Sequence, residues 1–253
     1  MLLSSVDGTL LFLSVDVVGS TPFKQAHAAD SGWIPPFARL FREFPLVFTG
    51  EIGVAFAEAD ELVPFGVWKV IGDEIVFVAA PRTRQDAQRV LKGFAAAVAR
   101  YSATLHTDYG LKLRGIAWSA DVSGRNMKVE IPEMSGGPEG GVYVDVLGPD
   151  IDFGFRLGSH AEGAEVALAY PLALLMLELG ETEAVRWLGL GALKGVLGGH
   201  ALPLFLLRHD RAPRGLAVTA AQMNAHVDEF LADLGPVAAQ APPRVRLPDE
   251  AGA

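Results

Sequence analysis

The chain has 253 residues, 50% of them hydrophobic, a formal charge of −9 and no cysteine. That length allows one sizeable core or two small ones. The missing thiols exclude disulfides and thiolate metal sites and fit a reducing cytoplasm, and the acidic balance argues against a general nucleic-acid binder, which needs a basic face. A small anionic ligand stays compatible if metal ions or a few lysines and arginines neutralise it locally. The opening run MLLSSVDGTLLFLSVD has no basic n-region and is interrupted by Asp7 and Asp16. It reads as neither a signal peptide nor a membrane span. Residues 172–179, bounded by Pro171 and Gly180, are too short an apolar run to cross a bilayer. A cytoplasmic protein with neither a membrane nor a nucleic-acid partner is expected.

Residues 8–18, GTLLFLSVDVV, read as a strand apolar on both faces and hence central in a sheet. A helix follows Pro35-Pro36, with Phe37, Leu40, Phe41 and Phe44 on one side. Residues 67–79 read as a hairpin turning at Gly72-Asp73. Residues 82–110 form the clearest amphipathic helix, ending in a glycine that can cap it. LKLRGIAWSA alternates like a strand, and SGGPEGG at 135–141 is a loop before VYVDVLG. Helical spacing returns at 149–160, a strand at 164–169 and a helix from Pro171. LFLLRHD reads as the last core strand, and 219–235 as a further helix. The Ala/Pro-rich residues 236–253 are expected to be disordered. The order predicts an α+β or α/β sandwich with a mixed sheet, divided as a core at 1–210, an appended helix at 211–235 and the tail.

The carboxylates carry the chemistry. Asp16 closes the first strand, and Val17-Val18-Gly19-Ser20-Thr21 then turns into a helix. Successive backbone amides in such a turn can face one anion while the carboxylate holds a metal ion riding on it. As a turn or N-cap residue Asp16 needs no ligand, and both readings stand on the sequence. Asp73 lies in a second turn that the same sheet can place beside the first. Two converging carboxylates repel unless cations sit between them. Hard oxygen ligands suit Mg²⁺ or Mn²⁺, and a metal pair is the usual device for in-line phosphoryl displacement. Strand alternation predicts that Glu74 faces the other side and has at most a supporting role. The histidines are scattered without ligand spacing, and LGLGALKG at 188–195 is not a dinucleotide loop because no βαβ unit follows it. Trp33, Trp118 and Trp187 read as core, with Trp68 the one candidate stacking platform.

FLSVDVVGST, WKVIGDEIVF, VYVDVLGPDIDFGFRL and LKG, in that order, resemble the motif blocks of class III nucleotidyl cyclases over roughly residues 8–208. The resemblance implies a ferredoxin-like βαββαβ core that dimerises head-to-tail, with shared active sites in the interface cleft. It implies two divalent cations, Mn²⁺ or Mg²⁺, held by Asp16 and Asp73 with the Val17 carbonyl, and a triphosphate cradled by the amides of Val17, Val18, Gly19, Ser20 and Thr21. Lys69 and Asp145 fall on the base-contacting positions. Arg156 falls on the arginine that stabilises charge on the α-phosphate, and Lys194 on the triphosphate lysine.

Asp152 stands where the family has a ribose-orienting asparagine, and an ionised carboxylate cannot donate to a sugar oxygen. Asp152 and Arg156 are i,i+4 on one helix face, so an ordinary surface ion pair is the alternative. A solvated surface lysine is likewise the alternative for Lys194.

The blocks FLSVDVVGSTPFKQ and VWKVIGDEIVF look closest to the Pycsar pyrimidine cyclases of bacterial anti-phage defence. That branch implies UTP as substrate, cyclic UMP as product and a separate downstream effector. Cytidylate, adenylate, or a nucleotide-binding module without turnover are the other readings.

Overall fold

The computed structural model describes residues 2–134 and 142–250. The loop expected at 135–141 lies outside the described residues. A short helix α1 (Leu2–Ser5) leads into β1 (Thr9–Val18), α2 (Ser20–Ala26), α3 (Ile34–Ala55), β2 (Phe65–Ile71) and β3 (Glu74–Ala79). Then come α4 (Arg84–Tyr109), β4 (Lys112–Asp121), β5 (Met127–Ile131), β6 (Tyr143–Leu147) and α5 (Pro149–Arg156). The chain closes with β7 (Val166–Leu168), α6 (Tyr170–Glu178), β8 (Val185–Ala192), β9 (Ala201–Leu207) and α7 (Ala220–Asp233). No helix among the described residues is long and apolar enough to cross a membrane.

Seven strands form one mixed sheet in the order β2-β3-β1-β4-β7-β9-β8, in which only β4–β7 is parallel. The first half, β1-α3-β2-β3-α4-β4, is the expected βαββαβ core. Strand β1 is central because it is apolar on both faces. Leu10, Leu11, Phe12 and Leu13 are all fully buried.

The two faces have different partners. Gly115 of β4 faces Phe94 and Val98 of α4, and Phe77 of β3 packs on Phe44 and Phe48 of α3. On the opposite face Phe12 stacks on Trp118, and Trp118 meets Phe155 of α5. Helix α4 begins where Thr83 and Asp86 cap each other's backbone amides and ends at the left-handed Gly110. A Cβ at Gly154 would stand 2.1 Å from the Trp118 ring, so only glycine lets α5 lie this close to β4. That contact fixes the helix carrying Asp152 and Arg156.

VYVDVLG forms β6, which among the described residues pairs with β5 as a separate two-stranded ribbon. LFLLRHD falls on β9, the last strand in chain order as expected, while β8, not expected as a strand, pairs outside it at the sheet edge. Gly189 and Gly191 dilute the strand signal of β8, which is held by its ladder with β9.

The tail through Glu250 is not disordered. Tyr170 Oη donates to the Pro242 carbonyl, and Arg125 donates to the Gln240 and Ala241 carbonyls at 2.7 Å each. The Arg84 amide donates to the Pro248 carbonyl at 2.9 Å, and Arg89 forks onto Glu250 at 2.9 and 3.0 Å. Ala/Pro composition supplies little burial of its own, but these distant arginines and Tyr170 supply partners for its backbone.

Candidate active site

The antiparallel register decides which side chains meet. Ser14 lies opposite Val76 of β3 and Asp16 opposite Arg114 of β4. Even-numbered residues of β1, β3 and β4 therefore share the face away from α3 and α4. At the end of that face β1 turns through Val17, Val18, Gly19, Ser20 and Thr21 into α2. Gly19 sits at φ 74°, in the left-handed region where glycine alone is unstrained. The hairpin turn carrying Asp73 reaches the same place from the neighbouring strand. Asp16 and Asp73 are brought together as expected, close enough for each carboxyl to act on the other.

Glu74 joins them. Its carboxylate accepts from Ser14 Oγ, placing it on the Asp16 face, opposite to expectation. Counting alternation from Asp73 fails because Asp73 is in the turn and Glu74 is the first residue of β3.

Two further groups complete the cluster. Arg114 donates to Asp16 Oδ2 from Nε at 3.1 Å and from Nη2 at 2.7 Å. Lys24 of α2 donates to Asp73 Oδ1 at 2.9 Å while lying 4.4 Å from the centre of the Phe37 ring. Neither was legible as a site residue, although a charged Arg114 among the buried residues of a central strand is a signal in itself.

The carboxyls respond differently. Burial pushes Asp16 up, Arg114 opposes this, and Asp73 adds to it. Burial also raises Asp73, but Lys24, Ser20 and the Asp16 contact outweigh it and hold that carboxyl below its ordinary value. Burial drives Glu74 up against the Ser14 hydrogen bond.

The donor set fits a hard divalent cation. Asp73 Oδ2 is buried with no partner in hydrogen-bonding geometry, and both Arg114 bonds go to Oδ2 of Asp16 rather than Oδ1. Among the described residues no group of three or more His, Asp or Glu side chains is arranged to hold a metal ion by itself. Mg²⁺ characteristically uses one or two carboxylates and completes its shell with water and substrate phosphates.

Lys69 of β2 and Asp145 of β6 are paired at 2.7 Å, and Lys69 Nζ lies 3.8 Å from the centre of the Trp68 ring. Trp68 is core rather than a stacking platform: it is 3% exposed, its ring edge meets Phe12, and its Nε1 donates to the Val144 carbonyl. Lys69 Nζ also lies 5.9 Å from the centre of the Phe155 ring, which links this pair to α5. Asp152 and Arg156 lie on the exposed face of α5, and Lys194 is exposed in the turn after β8. Among the described residues none of these three is in an ion pair, so the surface pair between Asp152 and Arg156 is not formed. Among the described residues no hydrogen bond or ion pair joins them to the Asp16 cluster.

No protein-family model matches the sequence, and no curated protein matches it. Solved structures do match in fold. The catalytic core of a rhodopsin-guanylyl cyclase with converted specificity, in complex with ATPalphaS, is similar at a TM-score of 0.56 and 12% identity, covering 80% of this chain and 96% of that one. The guanylate cyclase domain of RhGC from Catenaria anguillulae in complex with GTP is similar at 0.52 and 11% identity, covering 79% and 96%. The adenylyl cyclase CyaB from P. aeruginosa is similar at 0.51 and 13% identity, covering 83% and 98%. At these identities the likeness establishes the fold, that of a cyclase catalytic domain.

Proposed function

We propose that this chain is a nucleotide cyclase that converts UTP to 3′,5′-cyclic UMP and pyrophosphate. One observation carries the cyclase reading. Asp16 and Asp73 converge at the end of a cyclase-type sheet, and Asp73 keeps a buried oxygen without a partner. The choice of UTP rests on the likeness of the blocks around Asp16 and Asp73 to the pyrimidine branch. In that reading cyclic UMP is a second messenger of anti-phage defence that acts through a separate effector.

The reaction joins the ribose 3′-oxygen to the α-phosphorus and breaks the bond to pyrophosphate. Two divalent cations, Mn²⁺ or Mg²⁺, held by Asp16, Asp73 and the Val17 carbonyl, supply acidification of the 3′-hydroxyl and neutralisation of the triphosphate when bound. The chain's own groups do the rest. The turn from Val17 to Thr21 receives the phosphates. Lys69 donates to a uracil carbonyl and Asp145 accepts from N3–H. Asp152, an acceptor, accepts a hydrogen bond from a ribose hydroxyl in place of the donor role its position has in the family. Arg156 stabilises charge developing on the α-phosphate, and Lys194 holds the β- and γ-phosphates.

The site is completed by a second copy of the chain. Asp16 and Asp73 come from one subunit, and Asp145, Asp152, Arg156 and Lys194 from the other. The exposure of the last three without ion-pair partners supports this division. Incubation with ATP, CTP, GTP and UTP in Mn²⁺, with the cyclic product identified by mass spectrometry, tests the reading. Cyclic UMP is expected. A different cyclic nucleotide would overturn the base assignment alone, and nucleotide binding without pyrophosphate release would leave a binding module.

A further inference from the structure

The cluster around Asp16 sets two cations, Arg114 and Lys24, among three carboxyl groups, Asp16, Asp73 and Glu74. Arg114 directs two N–H groups onto one oxygen of Asp16, and Lys24 bonds one oxygen of Asp73. Each cation is fixed in place. Arg114 projects from a central strand in register with Asp16, and Lys24 lies over the Phe37 ring. Arginine keeps its proton at any physiological pH. An incoming divalent ion therefore meets carboxylates that are already partly neutralised.

We propose that Arg114 and Lys24 are resident counter-cations of this site, which hold Asp16 and Asp73 in position and suppress divalent-cation binding until a nucleoside triphosphate is present. The inference rests on the metal-site reading above. Each cation satisfies one oxygen of its carboxylate, so the pair stays ordered despite mutual repulsion, and Asp73 Oδ2 stays unpartnered. Repulsion between a fixed guanidinium or ammonium and a nearby divalent ion lowers the ion's affinity by about tenfold or more per cation, even with substantial screening. A triphosphate reverses the balance by adding negative charge and by offering Arg114 and Lys24 other acceptors. Metal and nucleotide then bind with positive coupling, each raising the affinity of the other by the same factor.

The test is a Mn²⁺ titration of the full-length, nucleotide-free protein, following the electron paramagnetic resonance signal of free Mn²⁺. Arg114→Gln and Lys24→Gln should each tighten binding about tenfold, whereas Arg114→Lys, which keeps the charge, should stay within about twofold of the wild type. A non-hydrolysable UTP analogue should tighten Mn²⁺ binding in the wild type and narrow its gap to the variants. Lys24→Gln alters a helix-surface residue and keeps the test available if Arg114→Gln fails to fold. Binding that is unchanged or weaker in both Gln variants, while Asp16→Asn abolishes it, would overturn the counter-cation role and leave the metal site standing. Mn²⁺ bound by Asp16→Asn as tightly as by the wild type would overturn the metal site, and this inference with it.

Discussion

Lys69 Nζ and Asp145 Oδ1 stand 2.7 Å apart and join the edge strand of the main sheet to the separate β5–β6 ribbon. Their side chains are 19% and 23% exposed, so the pair is better shielded than an ordinary surface bridge and less costly than a buried one. A double-mutant cycle of Lys69→Met and Asp145→Ala in thermal unfolding should give a coupling of about 1 kcal/mol. If the same two groups read the base, each single variant should also flatten the ratio of kcat/KM for UTP to that for ATP. Coupling in stability with no change in that ratio would reduce the pair to a strut between the sheets.

Asp16→Ala and Asp73→Ala should each abolish cyclisation and leave the fold intact, but their effects on stability should differ. Losing Asp73 forfeits its Lys24 hydrogen bond but also removes a buried oxygen without a partner, so the change should stay within about 0.5 kcal/mol of zero. Losing Asp16 leaves Arg114 without either of its hydrogen bonds in a central strand and should cost about 1–2 kcal/mol. Urea unfolding of the nucleotide-free proteins measures both. Turnover near the wild-type rate in either variant would remove the metal role.

This contrast shows what the sequence can and cannot carry. The strand around Asp16, the hairpin at Gly72-Asp73 and the helix over 82–110 are legible because their periodicity and turn residues agree. The convergence of Asp16 with Asp73 follows once the two strands are placed as neighbours. The positions of Arg114, Lys24 and Glu74 depend on register between strands far apart in sequence, on α2 and on where the turn ends, and no local pattern encodes those. The tail is illegible for a related reason. Its order comes from Tyr170, Arg125, Arg84 and Arg89, contacts that composition does not reveal.

Acid should weaken the protein through Glu165, which is 3% exposed. It accepts from Arg214 Nε at 3.0 Å, Arg214 Nη2 at 2.7 Å and the Glu162 amide at 3.1 Å. Burial raises its pKa, but the Arg214 side chain and the backbone amides of Glu162 and Arg214 outweigh that and hold it below the ordinary 4.5. A carboxyl depressed on folding contributes stability that is fully present above its unfolded value and lost as pH falls through the folded value. Stability should therefore fall below about pH 4.5, and Glu165→Gln should remove part of that slope. Arg214→Ala strands the buried carboxylate and should cost about 3 kcal/mol at neutral pH, a loss that shrinks on acidification as Glu165 takes a proton. Unfolding free energies between pH 3 and 7 measure both. An acid slope in Glu165→Gln equal to that of the wild type would discard the assignment.

In the proposed cyclase, variants of Arg156 and Lys194 should separate transition-state stabilisation from binding. The planar guanidinium of Arg156 is suited to the α-phosphate oxygens, where charge grows only as the reaction proceeds, so Arg156→Ala should lower kcat by about 10²–10³-fold. In that reading Lys194 would contact phosphates that are fully charged in the ground state, so Lys194→Ala should raise KM at least as much as it lowers kcat. Both residues are exposed and, in the proposed dimer, would complete a site whose metal carboxylates lie on the other subunit. Mixing Asp73→Ala with Arg156→Ala protein should therefore restore activity, because one of the two clefts in a mixed dimer has every group. Subunit exchange shown by labelled chains, without recovery of turnover, would exclude a shared site. A change in KM alone for Arg156→Ala would make it a binding residue and leave the α-phosphate without its electrostatic partner.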